Sequence, residues 1–366
     1  MKVMHLSDLH LGKSIFERSL IDDQKYILDQ IIDIIDENKV TVLMLSGDIY
    51  DKQVPSTQAV NLLDSFLTKL TKRNIKTLII PGNHDSESRL GFGNKILENN
   101  GLIIENSYKG KLRKVVIEDV NFYLLPFIKP LNVRGYFEDV TSYNDAIKKI
   151  IEKTKINKNE KNILLTHQFY TLNGEYPELS DSELNLGGID NVNIKLLDDF
   201  NYVAMGHIHR PQKLYKDTFR YSGSILKYSF SESKFNKSVP IIDTSDFSFD
   251  LIPLVPLRDL IDIKGTLDEL LENSSDAYVR AILTDADELI DPLSKLRSKY
   301  PNLLKLEFSN KRYDYANNEV NLNSIDKKSK LDLFEEFYLL QNNVSLSEDL
   351  RDIFNSSIKE VENETD

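Results

Sequence analysis

Asp8 and His10 stand two residues apart in Ser7-Asp8-Leu9-His10, and His207 and His209 repeat that spacing in Gly206-His207-Ile208-His209. In extended backbone, residues i and i+2 share a face, so each pair can reach one ion. Between the pairs lie Ser46-Gly47-Asp48, Pro81-Gly82-Asn83-His84-Asp85 and Thr166-His167. Gly47 permits a sharp exit that aims Asp48 back at the same place, and one carboxylate has two oxygens with which to bridge two cations. The Asn83 amide oxygen is a neutral ligand. Imidazole and carboxylate donors suit Mn, Fe or Zn, and the absence of cysteine excludes a thiolate zinc site. Two ions roughly 3.5–4 Å apart can stabilise both the attacking and the leaving oxygen of an in-line displacement, which is phosphoester hydrolysis. Any one of these motifs is weak by itself; a lone Asp-x-His or Gly-Asn-His-Asp is usually an ordinary turn. All five in this order are hard to explain as coincidence.

The elements that must position them follow from the apolar pattern. Lys2–Leu6, Val40–Leu45, Lys76–Ile80, Asn162–Leu165 and Tyr202–Met205 read as short buried strands. The six histidines, His5, His10, His84, His167, His207 and His209, all lie at or next to the C-terminal end of such a strand. That edge of an α/β sheet is where ligands bind. His5 lies inside its strand, off the Asp8/His10 pattern, and reads as a packed histidine. Leu20–Asp36 has helical apolar spacing, Ser56 reads as the N-cap of a second helix, and Tyr143–Ile151 as a third. Val115–Ile117 and Phe122–Leu125 suggest a hairpin around Glu118-Asp119. The alternation predicts an α/β sandwich with helices outside.

Beyond Arg220 the pattern changes to strands without intervening helices, up to a proline-containing boundary at Pro253 and Pro256. We expect one domain over residues 1–255, a small α+β domain over 256–310, a polar Asn-rich linker over 311–327 and a helical pair over 328–366. The second helix of that pair is expected to begin at Ser345, whose spacing to Glu348 matches a capping box. Its apolar stripe runs through Leu346, Leu350, Ile353, Phe354, Ile358 and Val361.

Composition sets limits. No run of 18 apolar residues exists, so no membrane span is expected. Met1–Leu6 is too short and wrongly flanked for a signal peptide. The lack of cysteine fits the cytoplasm. The net charge of −12 argues against a stand-alone DNA binder. Carboxylates that hold cations count as negative in that sum, and a partner could supply phosphate-binding surface.

The motifs resemble the calcineurin-like metallophosphoesterase family, and within it the SbcD-type double-strand-break repair nucleases. The likeness rests on His5-Leu-Ser-Asp-Leu-His-Leu-Gly12, Ser46-Gly-Asp-Ile-Tyr-Asp51 and Pro81-Gly-Asn-His-Asp-Ser86. It continues in Ser180-Asp-Ser-Glu183, Gly187-Gly188, Met205-Gly-His-Ile-His-Arg-Pro-Gln212, Tyr221-Ser-Gly-Ser224, Tyr228-Ser-Phe-Ser-Glu232 and Phe334-Glu-Glu-Phe-Tyr338. The resemblance implies a four-layer α/β/β/α sandwich with a small α+β capping domain and a C-terminal helical pair. It implies one metal held by Asp8, His10, Asp48 and His209, and a second held by Asp48, Asn83, His167 and His207. It gives His84 the role of the catalytic histidine that contacts phosphate and helps the leaving oxygen depart. Asp51 matches a position that orients this histidine in related phosphatases, and its carboxylate would hold His84 protonated. The implied cofactors are two divalent ions, Mn first, with Mg or Fe as alternatives. The implied partners are DNA, an SbcC-type coiled-coil ATPase and a second copy of the chain. The competing readings are a phosphoesterase acting on small molecules and an inactive scaffold for the ATPase.

Overall fold

A computed structural model of the chain describes residues 1–183, 190–287, 289–309, 329–342 and 345–363. The expected linker over 311–327 and Gly187-Gly188 lie outside the described residues. Two units are present, Met1–Ile261 and Asp262–Asp366.

The first unit is built on two six-stranded sheets. One runs in the order Phe249–Pro253, Ser238–Asp243, Lys2–Leu6, Val42–Ser46, Lys76–Ile80, Leu102–Ile104. The other runs Gln212–Leu214, Lys216–Tyr221, Tyr202–Met205, Lys161–Thr166, Val120–Leu125, Arg113–Ile117. The strands that precede the candidate ligands are parallel to their neighbours, with Leu6 opposite Leu45, Ser46 opposite Ile80, and Met205 opposite Thr166. Their C-terminal ends therefore fall together. Buried on both faces, these strands read as continuous apolar runs rather than alternating ones.

The sheets pack face to face through Val3, Val42, Met44, Leu78, Phe122, Leu124, Ile163, Leu165, Tyr202 and Ala204. Phe122 is fully buried there, and truncating it to alanine should cost about 3–5 kcal/mol. The outer face of the second sheet, with Leu164, Val203 and Met205, is covered by Ala146, Ile147 and Ile150 of the helix Tyr143–Thr154. The helices Ile21–Asn38 and Thr57–Lys72 pack against each other, and the second also packs on the strand Lys76–Ile80. Ser56 caps the second of them, its hydroxyl accepting from Ala59 N at 3.2 Å. The arrangement is the expected sandwich of two sheets with helices outside.

The second unit carries a three-stranded sheet ordered Leu260–Gly265, Tyr278–Leu283, Leu303–Phe308, with helices Leu267–Leu271 and Pro292–Lys299. Its C-terminal helices are Lys330–Asn342 and Glu348–Asn363, and they meet through the stacked rings of Phe334 and Phe354, 4.0 Å apart. The capping box expected at Ser345 is not formed. The helix begins at Glu348, and the Ser347 hydroxyl accepts from Leu350 N instead. No helix among the described residues is long and apolar enough to cross a membrane.

Candidate metal centre

The strands keep exchanging hydrogen bonds after they end. Asp8 N donates to Gly47 O, His10 N to Asp48 O and Leu11 N to Ile49 O, each at 3.0 Å. Within this zippered loop pair, Asp8, His10 and Asp48 all take left-handed backbone, with φ of 52°, 44° and 50°, and His207 has φ of 99°. Such conformations cost L-residues on the order of 1–3 kcal/mol each and persist only where the surroundings over-determine them. The loops also approach closely. A Cβ at Gly82 would lie 2.1 Å from Asp48 Oδ1, and one at Gly206 would lie 2.0 Å from Ser46 O. Only glycine fits at either position.

The side chains so placed converge. His10 Nε2 lies 3.1 Å from His209 Nε2 and 3.6 Å from Asp48 Oδ2. Donor atoms of Asp8, His10 and His209 lie within 4.8 Å of one another, as do those of Asp8, Asp48 and His167. On the other side of Asp48, His167 Nε2 is 3.3 Å from Asp48 Oδ2 and 3.2 Å from Asn83 Oδ1. His207 Nδ1 reaches the same Asn83 oxygen at 3.0 Å. All seven residues expected as ligands thus meet in one cluster, buried at Asp8, His10, Asp48, His167 and His209 and half-buried at Asn83 and His207, with Asp48 between the two halves. The carboxylates are braced across the loops. Asp8 Oδ1 accepts from His207 N at 3.0 Å, and Asp48 Oδ1 accepts from His84 N at 2.9 Å.

These atoms fit a pair of divalent cations. Two imidazole nitrogens 3.1 Å apart, as in His10 and His209, cannot both present lone pairs to each other unless a proton or a cation lies between them. His167 Nδ1 donates to Ser46 O at 2.7 Å, which leaves Nε2 as the ring nitrogen aimed inwards, a ligand once its proton is lost. Nitrogen and oxygen donors without sulfur are the set that Mn, Fe and Zn accept.

The electrostatics point the same way. Burial drives the Asp8 carboxyl upwards, against the pull of His167 and His209. Burial would also raise Asp48, but the imidazoles of His167, His10 and His84 hold it well below the usual range. Burial lowers His207 to about 3, assisted by His167, and lowers His10. Burial would lower His167 too, but Asp48 and Asp8 overcome it and push the ring up to about 9. Buried carboxylates require positive charge nearby; protonated imidazole can supply it, and so can a divalent ion.

His84 is half-buried. Its ring stands edge-to-face on His10 at 4.8 Å, with a donor atom within 4.8 Å of those of His10 and Asp48. The expected dyad with the Asp51 carboxylate is not what the structure shows. His84 Nδ1 donates to the Asp51 main-chain carbonyl at 2.9 Å. The Asp51 carboxylate accepts instead from Lys13 Nζ at 2.9 Å and lies 3.7 Å from His10 Nδ1. The Asp51 main chain is tied to the neighbouring loop, its N donating to Leu11 O at 3.2 Å beside a β-bridge between Leu11 and Tyr50, and its carbonyl faces His84. His5 is fully buried, with Nδ1 3.2 Å from Tyr202 Oη, and belongs to none of the donor groups found among the described residues.

Two supporting residues lie outside the expected ligand set. Asp85 accepts from Ile49 N, Tyr50 N and Gly82 N at 2.9–3.0 Å, and so ties the Asp48 loop to the Asn83 loop. Its position at the end of the Gly82-Asn83-His84-Asp85 turn is the one signal in the sequence that could have found it. Gln24 donates to the His10 carbonyl at 2.7 Å and accepts from Gly12 N at 2.9 Å. Its only signal is that it is a polar residue on the buried face of the helix Ile21–Asn38.

Comparison with known proteins gives the family. The calcineurin-like phosphoesterase family matches residues 1–211, and the type 5 capsule protein repressor C-terminal domain matches residues 256–342. The SbcD subunit of the nuclease SbcCD from Staphylococcus epidermidis is 32% identical over 361 residues, covering 95% of each chain. Among solved structures, a Thermus thermophilus protein aligns with 69% of this chain and 98% of its own, at TM-score 0.43 and 9% identity. A dimetal phosphatase from Danio rerio aligns with 70% of this chain and 99% of its own, at TM-score 0.41 and 10% identity. With seven oxygen and nitrogen donors gathered at the strand ends and a sequence match along almost the whole chain, this chain belongs to the calcineurin-like phosphoesterases, and within them to the SbcD family of nuclease subunits.

Proposed function

We propose that this pocket hydrolyses the phosphodiester bonds of DNA, at double-stranded ends and in single strands or hairpins, as the nuclease subunit of an SbcCD-type complex in DNA repair, recombination and replication. Membership of the phosphoesterase family makes the chain a phosphoester hydrolase. The observation that carries the reading is the convergence of Asp8, His10, Asp48, Asn83, His167, His207 and His209 from five strand ends around one carboxylate, Asp48. Asp8, His10, Asp48 and His209 form one cation site, and Asp48, Asn83, His167 and His207 the other. Mn is the preferred ion, with Mg or Fe as alternatives.

Two bound divalent ions supply Lewis-acid stabilisation of phosphate charge and a more acidic water. The chain's own residues do the rest. His84 N, bonded to Asp48 Oδ1, fixes the register between the catalytic loop and the cation site. With Nδ1 donating to the Asp51 carbonyl, His84 Nε2 is the ring atom left to touch the phosphate and pass a proton to the departing 3′ oxygen. Asp51 acts through its carbonyl, and its carboxylate through Lys13 and His10.

The segment over residues 256–310 serves as a capping domain that positions DNA, and the helical pair over 328–366 docks on a coiled-coil ATPase. A second copy of the chain packs on the first domain. An apolar cleft of about 540 Å³ there is lined by Leu63, Leu67, Leu90, Phe92, Leu97 and Leu102. Phe92 on its lining is 86% exposed and Ile96, next to the lining residue Leu97, is 72% exposed, apolar surface of the kind that a second copy would cover. The protein works in the cytoplasm.

The experiment is a Mn-dependent cleavage assay on hairpin and plasmid DNA beside nitrophenyl phosphates. Cleavage of DNA with little turnover of the small esters is expected. The reverse preference would make the protein a small-molecule phosphoesterase, a reading that its acidic net charge of −12 also suits.

A further inference from the structure

The two halves of the cluster are backed by different chemistry. Behind His167, Nδ1 donates to a neutral main-chain carbonyl, Ser46 O. Behind His209, Nδ1 faces two carboxylates, Glu232 Oε1 at 3.3 Å and Glu183 Oε1 at 3.6 Å. Glu183 also accepts from the His209 main-chain N, and its other oxygen accepts from Ser180 N at 2.9 Å.

Glu232 is fully buried and Lys237 is 4% exposed. Lys237 Nζ lies 2.6 Å from Glu232 Oε2, 2.7 Å from His209 O and 2.8 Å from Ser224 Oγ. An ammonium has three N–H donors, and these three acceptors can occupy all of them. Ser224 closes the ring, its N donating to His209 O at 3.1 Å. One lysine therefore grips the backbone of His209 and the carboxylate that grips its ring.

A buried ion pair of this kind is weak evidence for stability. Replacing such a pair by apolar residues of similar volume is often neutral or favourable, whereas removing one partner is costly. The geometry assigns it another use. Nothing in the phosphoesterase chemistry above requires Lys237, yet it is fastened to a ligand at both ends of that residue.

We propose that Lys237 and Glu232 are positioning residues for His209. Glu232 accepts the Nδ1 proton, so that Nε2 is presented as a lone pair to the cation held with Asp8 and His10. Lys237 holds Glu232 and the His209 carbonyl in register while doing so. A carboxylate behind a ligating imidazole fixes its tautomer and raises its basicity. The site containing His209 therefore binds its ion more tightly than the site containing His167 and fills first. This inference rests on the two-cation reading and adds an order to it.

The test is Mn titration of the full-length protein by calorimetry, with electron paramagnetic resonance to separate single ions from coupled pairs. Wild type should take up two ions in two steps, the first giving an uncoupled signal. Glu232→Gln and the paired variant Glu232→Leu/Lys237→Met should each weaken the tighter of the two wild-type steps by about 10- to 100-fold and leave the weaker one unchanged, and loss confined to the weaker step would overturn the order. The paired variant removes both charges of the ion pair and keeps Glu183 beside His209; it should melt near wild type, so a selective loss of one ion there cannot be a folding defect. Wild-type affinity for both ions in both variants would overturn the proposal, and so would parallel loss of both ions. Should the paired variant fail to fold, Glu232→Gln still decides between these outcomes. Uptake of fewer than two ions by wild type would defeat the two-cation reading itself, a result distinct from any of these.

Discussion

His84 and Asp51 meet through a ring nitrogen and a main-chain carbonyl, Nδ1 to O at 2.9 Å, and the Asp51 carboxylate takes no part in the contact. The side chain at position 51 is therefore dispensable to the aim of His84, whereas the backbone path through Leu11 and Tyr50 is not.

Substitution at the two positions should separate these roles. His84→Gln should lower kcat by about 10²- to 10⁴-fold, the range for loss of a general acid, with Mn stoichiometry unchanged. Asp51→Asn should cost no more than roughly tenfold, since it keeps the carbonyl and weakens only the contacts to Lys13 and His10. Steady-state cleavage of a labelled hairpin measures both. A loss at Asp51 equal to that at His84 would show that the carboxylate acts directly.

Much of this site was legible in the sequence because the ligands follow strand ends and the glycines mark close approaches. Asp8, His10, Asp48, Asn83, His167, His207 and His209 could all be named from that placement, and the structure gathers them. The Asp51 contact could not be read, because a carbonyl is the same whatever side chain it carries. Nor could the left-handed backbone of Asp8, His10 and Asp48 be read, since hydrogen bonds between loops distant in sequence impose it. The C-terminal helix shows the limit of local pattern. Ser345 and Ser347 both offer a hydroxyl, and the helix start at Glu348 leaves only the second within reach of its first turn.

Metal uptake should release protons. His167 is held protonated up to about 9, with burial working against Asp48 and Asp8, and it must lose that proton to become a ligand. Apparent Mn affinity should therefore rise as pH increases towards 9, with about one proton released from this ring near neutral pH. Titration calorimetry in buffers of different ionisation enthalpy measures the release. A heat independent of buffer would contradict it.

His5 makes a separate pH prediction, for stability. Burial, with the Arg220 charge, lowers it from 6.5 to about 3 in the folded protein. The unfolded chain accepts a proton below the higher value and the folded chain does not. Stability present above about pH 6.5 is therefore lost as pH falls towards 3. Between about pH 7.5 and pH 5.5 this single group accounts for about 1 kcal/mol. Urea unfolding of His5→Gln should show a correspondingly flatter pH dependence than wild type. Equal slopes would mean that His5 is protonated in the fold.

Removal of the C-terminal helices tests the partner assignment. Phe334 and Phe354 hold the pair together, while Phe337 is 56% and Leu350 40% exposed. A chain ending before residue 328 should fail to co-purify with a co-expressed coiled-coil ATPase and should keep basal Mn-dependent cleavage. Retained co-purification would place the ATPase contact elsewhere.

The most direct measurement is anomalous scattering from crystals soaked in Mn. Two peaks about 3.5–4 Å apart are expected, one against Asp8, His10 and His209, the other against Asn83, His167 and His207, with Asp48 between them. A single peak, or peaks away from Asp48, would contradict the account.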